Sequence, residues 1–125
     1  MSAAVVAGVV VAGAIGAPAR YLLDGAVRRH FDDPLPWGTL VVNATGSLLL
    51  GLLTGAALYH GFPDTPRIWL GTGFCGAYTT FSTFTVDTVL LVEKGDVGSA
   101  ARNVLGSTVA CAAAAGTGLA VMAAL

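Results

Sequence analysis

The chain has 125 residues, 55% of them hydrophobic and only 10% charged, with a formal net charge of −1 and a mean hydropathy of +0.78. A soluble domain carries about 25% charged residues to cover its surface, so this composition excludes an ordinary soluble fold and points to an integral membrane protein. The near-zero net charge points to no nucleic-acid or acidic partner.

Four apolar runs are long enough to cross a bilayer core, which takes roughly 20 residues of helix. They predict an all-α membrane protein with a single transmembrane domain over residues 1–125 and spans at about 2–23, 37–59, 67–92 and 97–125. The Ala-rich start of the first run resembles a signal peptide. It lacks a basic leading region, however, and its first basic residue, Arg20, follows the apolar run, so it reads as a membrane helix. Gly8, Ala12 and Gly16 repeat at four-residue spacing along it, a pattern that lets helices pack closely in lipid. The loop "DGAVRRHFDDPLP" ends the run with two prolines that cannot sit inside a helix.

The second span contains Ser47, Gly51 and Gly55 at the same spacing. It also contains Asn43, flanked by Thr39 and Ser47 four residues to either side. A polar side chain in a membrane normally faces the bundle interior. The Asn43 amide can bond a neighbouring helix or donate to an anion, and the sequence leaves both open. "HGFPDTP" closes this span.

The third span contains "GFCGAYTTFSTF", residues 73–84, in which six of twelve residues are Gly, Thr or Ser. Glycine weakens a helix by about 1 kcal/mol relative to alanine, and Thr and Ser side chains compete for backbone groups. A continuous helix is possible, but the clustering fits a helix broken near its middle better. Non-helical backbone at membrane depth must be buried in protein or line a wet cavity. Phe81 and Phe84, three apart, share a helix face. They read either as packing or as ring edges presented to an anion. Asp87 is the one carboxylate well inside a span, with Arg20 as a candidate partner.

In the fourth span Asn103, Ser107 and Cys111 form another weakly polar stripe. Cys75 and Cys111 have no metal-ligand spacing with each other or with His30 or His60, and both read as small buried residues. Arg20, Arg28, Arg29, Lys94 and Arg102 flank loops one and three, whereas Arg67 alone flanks loop two. This five-to-one bias places loops one and three in the cytoplasm and both termini outside.

Three stretches carry a family resemblance. "GAIGAPARY", "WGTLVVNATGSLLLG" and above all "GFCGAYTTFSTF" are similar to the first-, second- and third-helix motifs of the Fluc (CrcB) fluoride channels, and the likeness spans nearly the whole chain. It implies an antiparallel dimer in the cell membrane that exports fluoride passively through two pores. It further implies that Asn43 faces the pore and donates to fluoride and that Phe81 and Phe84 line the pore with ring edges. Ser82 and Thr83 would form a hydroxyl track, with Ser107 near the ion path. The backbone carbonyls of Gly76 and Thr79 would hold a structural sodium ion at the dimer centre, and Arg20 would be structural. The chain departs from the motifs at Ala77, where a second glycine is usual, at Asp87, where glutamate is common, and at Cys111, where a small or hydroxyl residue is common.

An antiparallel homodimer needs one sequence inserted both ways, which a five-to-one bias opposes. The partner is thus either a second copy or a homologous subunit of opposite bias, and within such a heterodimer this chain could be a non-conducting subunit. A small multidrug exporter is a further alternative, but it needs a carboxylate embedded in the first span, and none precedes Asp24.

Overall fold

A computed structural model describes residues 1–125 and is entirely helical. Helix α1 spans Ala3–Arg28 and α2 spans Trp37–His60. A short α3 at Asp64–Ile68 runs into a π-helical segment at Trp69–Cys75 and a single turn, α4, at Gly76–Tyr78. Helix α5 spans Ser82–Glu93 and α6 spans Val97–Ala124. Helices α1, α2 and α6 are long and apolar enough to cross a membrane. Only 18 of the 125 residues are buried, and Val10, Ile15, Leu22, Leu105 and Val109 stand out from the surface. That outer apolar surface suits a lipid solvent.

Local chemistry sets the helix ends. The Ser2 hydroxyl accepts from Val5 N at 3.3 Å and caps α1. Pro18 lies inside α1 without ending it, since neighbouring groups can re-satisfy the freed carbonyl in a membrane bundle. Gly61 takes a left-handed φ of 64° and stops α2. Gly95, with φ 81°, stops α5, and Asp96 N donates back to Leu91 O at 2.9 Å. The Asp96 carboxylate then accepts from Ser99 N at 3.1 Å and caps α6.

Small residues mark the helix crossings. A Cβ added to Gly51 would meet the Ala115 backbone, and one added to Gly118 would lie 2.6 Å from Leu48 O. Helices α2 and α6 therefore touch backbone to backbone. They run parallel, and their C-terminal ends are tied by a 2.7 Å contact between His60 Nε2 and Met122 O. On α1, Gly8 lies under the Trp69 ring, whose Nε1 donates to Val5 O at 3.1 Å. A Cβ at Gly16 would sit 2.5 Å from Phe74 O, and one at Gly73 would sit 2.9 Å from Ala12 Cβ. The two glycine stripes are contact surfaces of the kind that holds helices together in lipid, where apolar side chains gain little by meeting each other.

Ala77 is accommodated without strain. It is helical, no residue other than glycine has a positive φ, and its Cβ faces the bare Gly13 of α1. Cys75 is fully buried, as expected. Cys111 is not: it is half-buried on α6 and lines a groove, and both thiols are free. Its stripe partners Asn103 and Ser107 turn toward α2 and α5, which leaves Cys111 one turn beyond the packed stretch.

Candidate functional site

The backbone leaves helical geometry at Thr79, whose ψ of 160° is extended, and regains it at Ser82. A turn that loses its helical partners must find others. Here Asn43 of α2 supplies them. Its Oδ1 accepts from Thr80 N at 2.8 Å and its Nδ2 donates to Thr80 O at 2.8 Å. One carboxamide thus satisfies both backbone groups of Thr80 and keeps one N–H free. Thr80 Oγ1 accepts from Thr83 N at 3.2 Å and donates to Thr83 Oγ1 at 3.1 Å, which caps the start of α5. Gly46 leaves room for this, because a Cβ there would collide with Thr79.

The turn opens onto a groove of about 300 Å³ lined by Asn43, Ser47, Leu50, Thr79, Thr80, Phe81, Phe84, Ser107, Thr108 and Cys111. None of these residues carries a charge. Phe81 is 79% exposed, and its ring lies 5.8 Å from that of Phe84 at a 38° tilt. A chain of side-chain bonds runs away from the rings. Thr88 Oγ1 donates to Phe84 O at 2.8 Å, and Asn103 Nδ2 donates to Thr88 Oγ1 at 2.8 Å. Ser107 Oγ in turn donates to Asn103 Oδ1 at 3.3 Å.

Of the residues singled out from the sequence, Asn43, Phe81, Phe84 and Ser107 meet in this groove. Thr83 does not. It lines a separate cavity of about 210 Å³ with Arg20, Tyr21, Asp24, Thr39, Val42 and Thr80. Ser82 is exposed at the start of α5 and lines neither space. Thr80 lines both, a role that its place in "TTFSTF" did not single out.

Asp87 has a different partner from the one expected. It pairs with Arg28, not Arg20: Arg28 Nη2 lies 3.4 Å from Asp87 Oδ2, and Thr39 Oγ1 donates to the same oxygen at 2.9 Å. Arg28 also holds Asp24 at 2.6 Å. Two further helical turns along α1 carry Arg28 to the end of the bundle where α2 begins and α5 passes, whereas Arg20 lies deeper beside Tyr21 and Thr80.

No three His, Cys, Asp or Glu side chains cluster as a metal site. Backbone oxygens are a different matter. Thr80 N, which would bond Gly76 O in a continuous helix, is given to Asn43. Gly76 is exposed, with open space beside it. No hydrogen bond outside the helices ends on Thr79 O.

The apolar helices and the uncharged polar groove between them define a multi-pass membrane protein built around a polar path. A family model described as "CrcB-like protein, Camphor Resistance (CrcB)" matches residues 7–119, and the chain belongs to that family. It is 47% identical over 98 residues to a fluoride-specific ion channel FluC of Nitrobacter winogradskyi, covering 78% of each chain. Fluoride-specific ion channel FluC 1 of Leifsonia xyli is 44% identical over 119 residues, covering 95% of this chain and 87% of that one. A fluoride-specific ion channel FluC of Methanocaldococcus jannaschii is 46% identical over 101 residues, covering 81% of this chain and 80% of that one.

Proposed function

We propose that this chain is a fluoride-selective passive channel that lets fluoride leave the cytoplasm and so lowers its toxicity. The observation that carries the reading is the groove: amide and hydroxyl groups and two aromatic rings line it, with no charged side chain in its wall. Fluoride holds its water tightly, so a pore must replace that water with donors. A fixed cation would trap the ion, whereas neutral donors and positive ring edges let it bind and leave. Asn43 uses its free amide N–H for this, Phe81 and Phe84 present their edges, and Ser107 lies where the ion moves on. Thr83 and Ser82 add hydroxyls next to the rings at the start of α5, Thr83 from the neighbouring cavity.

The third span is one membrane crossing broken at Thr79–Phe81, and it belongs to an antiparallel dimer. The exposure of Phe81 and Gly76 in the single chain supports a partner face there. The carbonyls of Gly76 and Thr79 would hold a sodium ion, which unwound backbone carbonyls in membrane helices can coordinate. The released Gly76 oxygen fits that role. Bound there, the ion would supply positive charge to fix the turn. Loops one and three face the cytoplasm.

The five-to-one bias favours a second reading, in which the chain inserts one way and pairs with a homologous subunit of opposite bias. Expression in cells that lack fluoride export tests both. Restored growth in fluoride with the lone chain supports a homodimer and removes the heterodimer. Rescue only alongside a homologous subunit supports the heterodimer. Failure in both settings, with the chain in the membrane, removes the channel.

A further inference from the structure

Tyr78 is the last residue of α4, directly before the backbone leaves helical geometry at Thr79. Its side chain is buried and stacks on Phe74 at a centroid distance of 5.3 Å. A buried tyrosine hydroxyl needs a partner, and this one meets Thr45 Oγ1 of α2 at 2.8 Å. Thr45 sets the direction of that bond. Its single proton is given back along α2, to Val41 O at 2.8 Å and Val42 O at 3.1 Å. Thr45 therefore accepts, and the Tyr78 O–H donates.

One turn of α2 thus holds the break from both sides. Asn43 holds Thr80, Thr45 holds Tyr78, and Gly46 gives Thr79 its room between them. A Cβ on Gly46 would also come within 3.2 Å of the Tyr78 ring, so the ring rests directly on the α2 backbone. Neither Tyr78 nor Thr45 lines the groove. The three residues that follow Tyr78 do: Thr79, Thr80 and Phe81 all stand in the groove wall. Tyr78 and Thr45 are therefore placed to fix that wall without touching an ion in it.

We propose that Tyr78 and Thr45 are positioning residues for the groove: their hydroxyl pair fixes the chain ahead of Thr79 as Asn43 fixes it behind, and the two clamps together set where Thr80 and Phe81 face the ion. The consequence for transport rests on the fluoride-channel reading. Without the pair, α4 can shift against α2, and the offset passes through Thr79 to the wall. The Tyr78 hydroxyl would also be left in apolar surroundings, which is costly.

The chain has no glutamine, and Asn43 and Asn103 are its only asparagines. Asn43 bonds the turn and Asn103 bonds Thr88, so in ¹H–¹⁵N spectra of the full chain in detergent one side-chain amide reports on the turn and the other is its control. Tyr78→Phe keeps the ring stack and removes the donor; Thr45→Val keeps the shape and removes the acceptor. Each should move the Asn43 amide signals, leave those of Asn103 in place, and slow fluoride efflux from liposomes about two- to ten-fold. The double variant should be no slower than either single one. Thr45→Ser, which keeps the acceptor, should match the wild type in both measurements. An Asn43 signal indifferent to Tyr78→Phe, two amides that move alike, or single effects that multiply in the double variant overturns the clamp. Unmoved Asn43 signals and wild-type efflux from Tyr78→Phe sink the clamp and leave the channel reading standing. An Asn43 signal that responds as expected in a chain that conducts nothing does the reverse.

Discussion

Replacing Asn43 with alanine removes two 2.8 Å hydrogen bonds at once and strands both backbone groups of Thr80. A typical bond contributes about 1 kcal/mol net, and a group left dry costs about 1–3 kcal/mol. Thr80 is half-buried at the edge of the groove, so water can reach part of what is lost. The low end therefore applies, and Asn43→Ala should destabilise the chain by about 2 kcal/mol. Asn43→Asp separates the two contacts. It still accepts from Thr80 N but cannot donate to Thr80 O, and it places a negative charge in the proposed anion path. Its second oxygen would face Thr80 O with no proton between them, so it should lose at least as much stability as alanine and lose more flux. Denaturant titration in detergent reads the first quantity and fluoride efflux the second. If Asn43→Ala unfolds within about 0.5 kcal/mol of wild type, Asn43 does not hold the turn and the reasoning fails.

Other residues make separate tests. An aromatic edge contact contributes about 0.5–1.5 kcal/mol, so Phe81→Ile or Phe84→Ile should slow fluoride efflux about two- to ten-fold per ring while the protein stays folded. Unchanged rates would remove the rings from the mechanism. Arg28 and Asp87 should couple by about 1 kcal/mol or less in a double-mutant unfolding cycle, because the Arg28 side chain is 43% exposed. Zero coupling, or equal coupling of Asp87 to Arg20, would contradict the observed pair. Gly51→Ala should cost about 1–3 kcal/mol by pushing a methyl group into the Ala115 backbone. Gly25→Ala, with nothing within 4 Å, should stabilise by up to about 1 kcal/mol, and similar effects at the two positions would refute the close α2–α6 contact.

The membrane class, three of the apolar helices (α1, α2 and α6) and the small-residue stripes were legible because they depend on composition and on periods of a few residues. Gly8, Gly16, Gly51 and Gly55 all stand at helix crossings. What the sequence hid depends on distance along the chain. The Gly–Thr cluster begins at Gly73, yet Gly73 packs on α1 within the π-helical segment, and the backbone leaves helical geometry only at Thr79. The turn sits there because a carboxamide 37 residues away captures Thr80, and no local propensity carries that information. The sequence hides the partner of Asp87 for a related reason. Charge suits both Arg20 and Arg28, and only the extension of α1 to Arg28 and its packing against α2 and α5 separate them. The bond between Tyr78 and Thr45 is invisible in the sequence too, since 33 residues separate its partners.

Ion efflux from liposomes containing the purified protein, measured with fluoride and then with chloride, tests the central claim most directly. The account predicts fluoride release down its gradient with no imposed proton gradient, and chloride release slower by orders of magnitude. Equal chloride release, or fluoride release that requires a proton gradient, would contradict it.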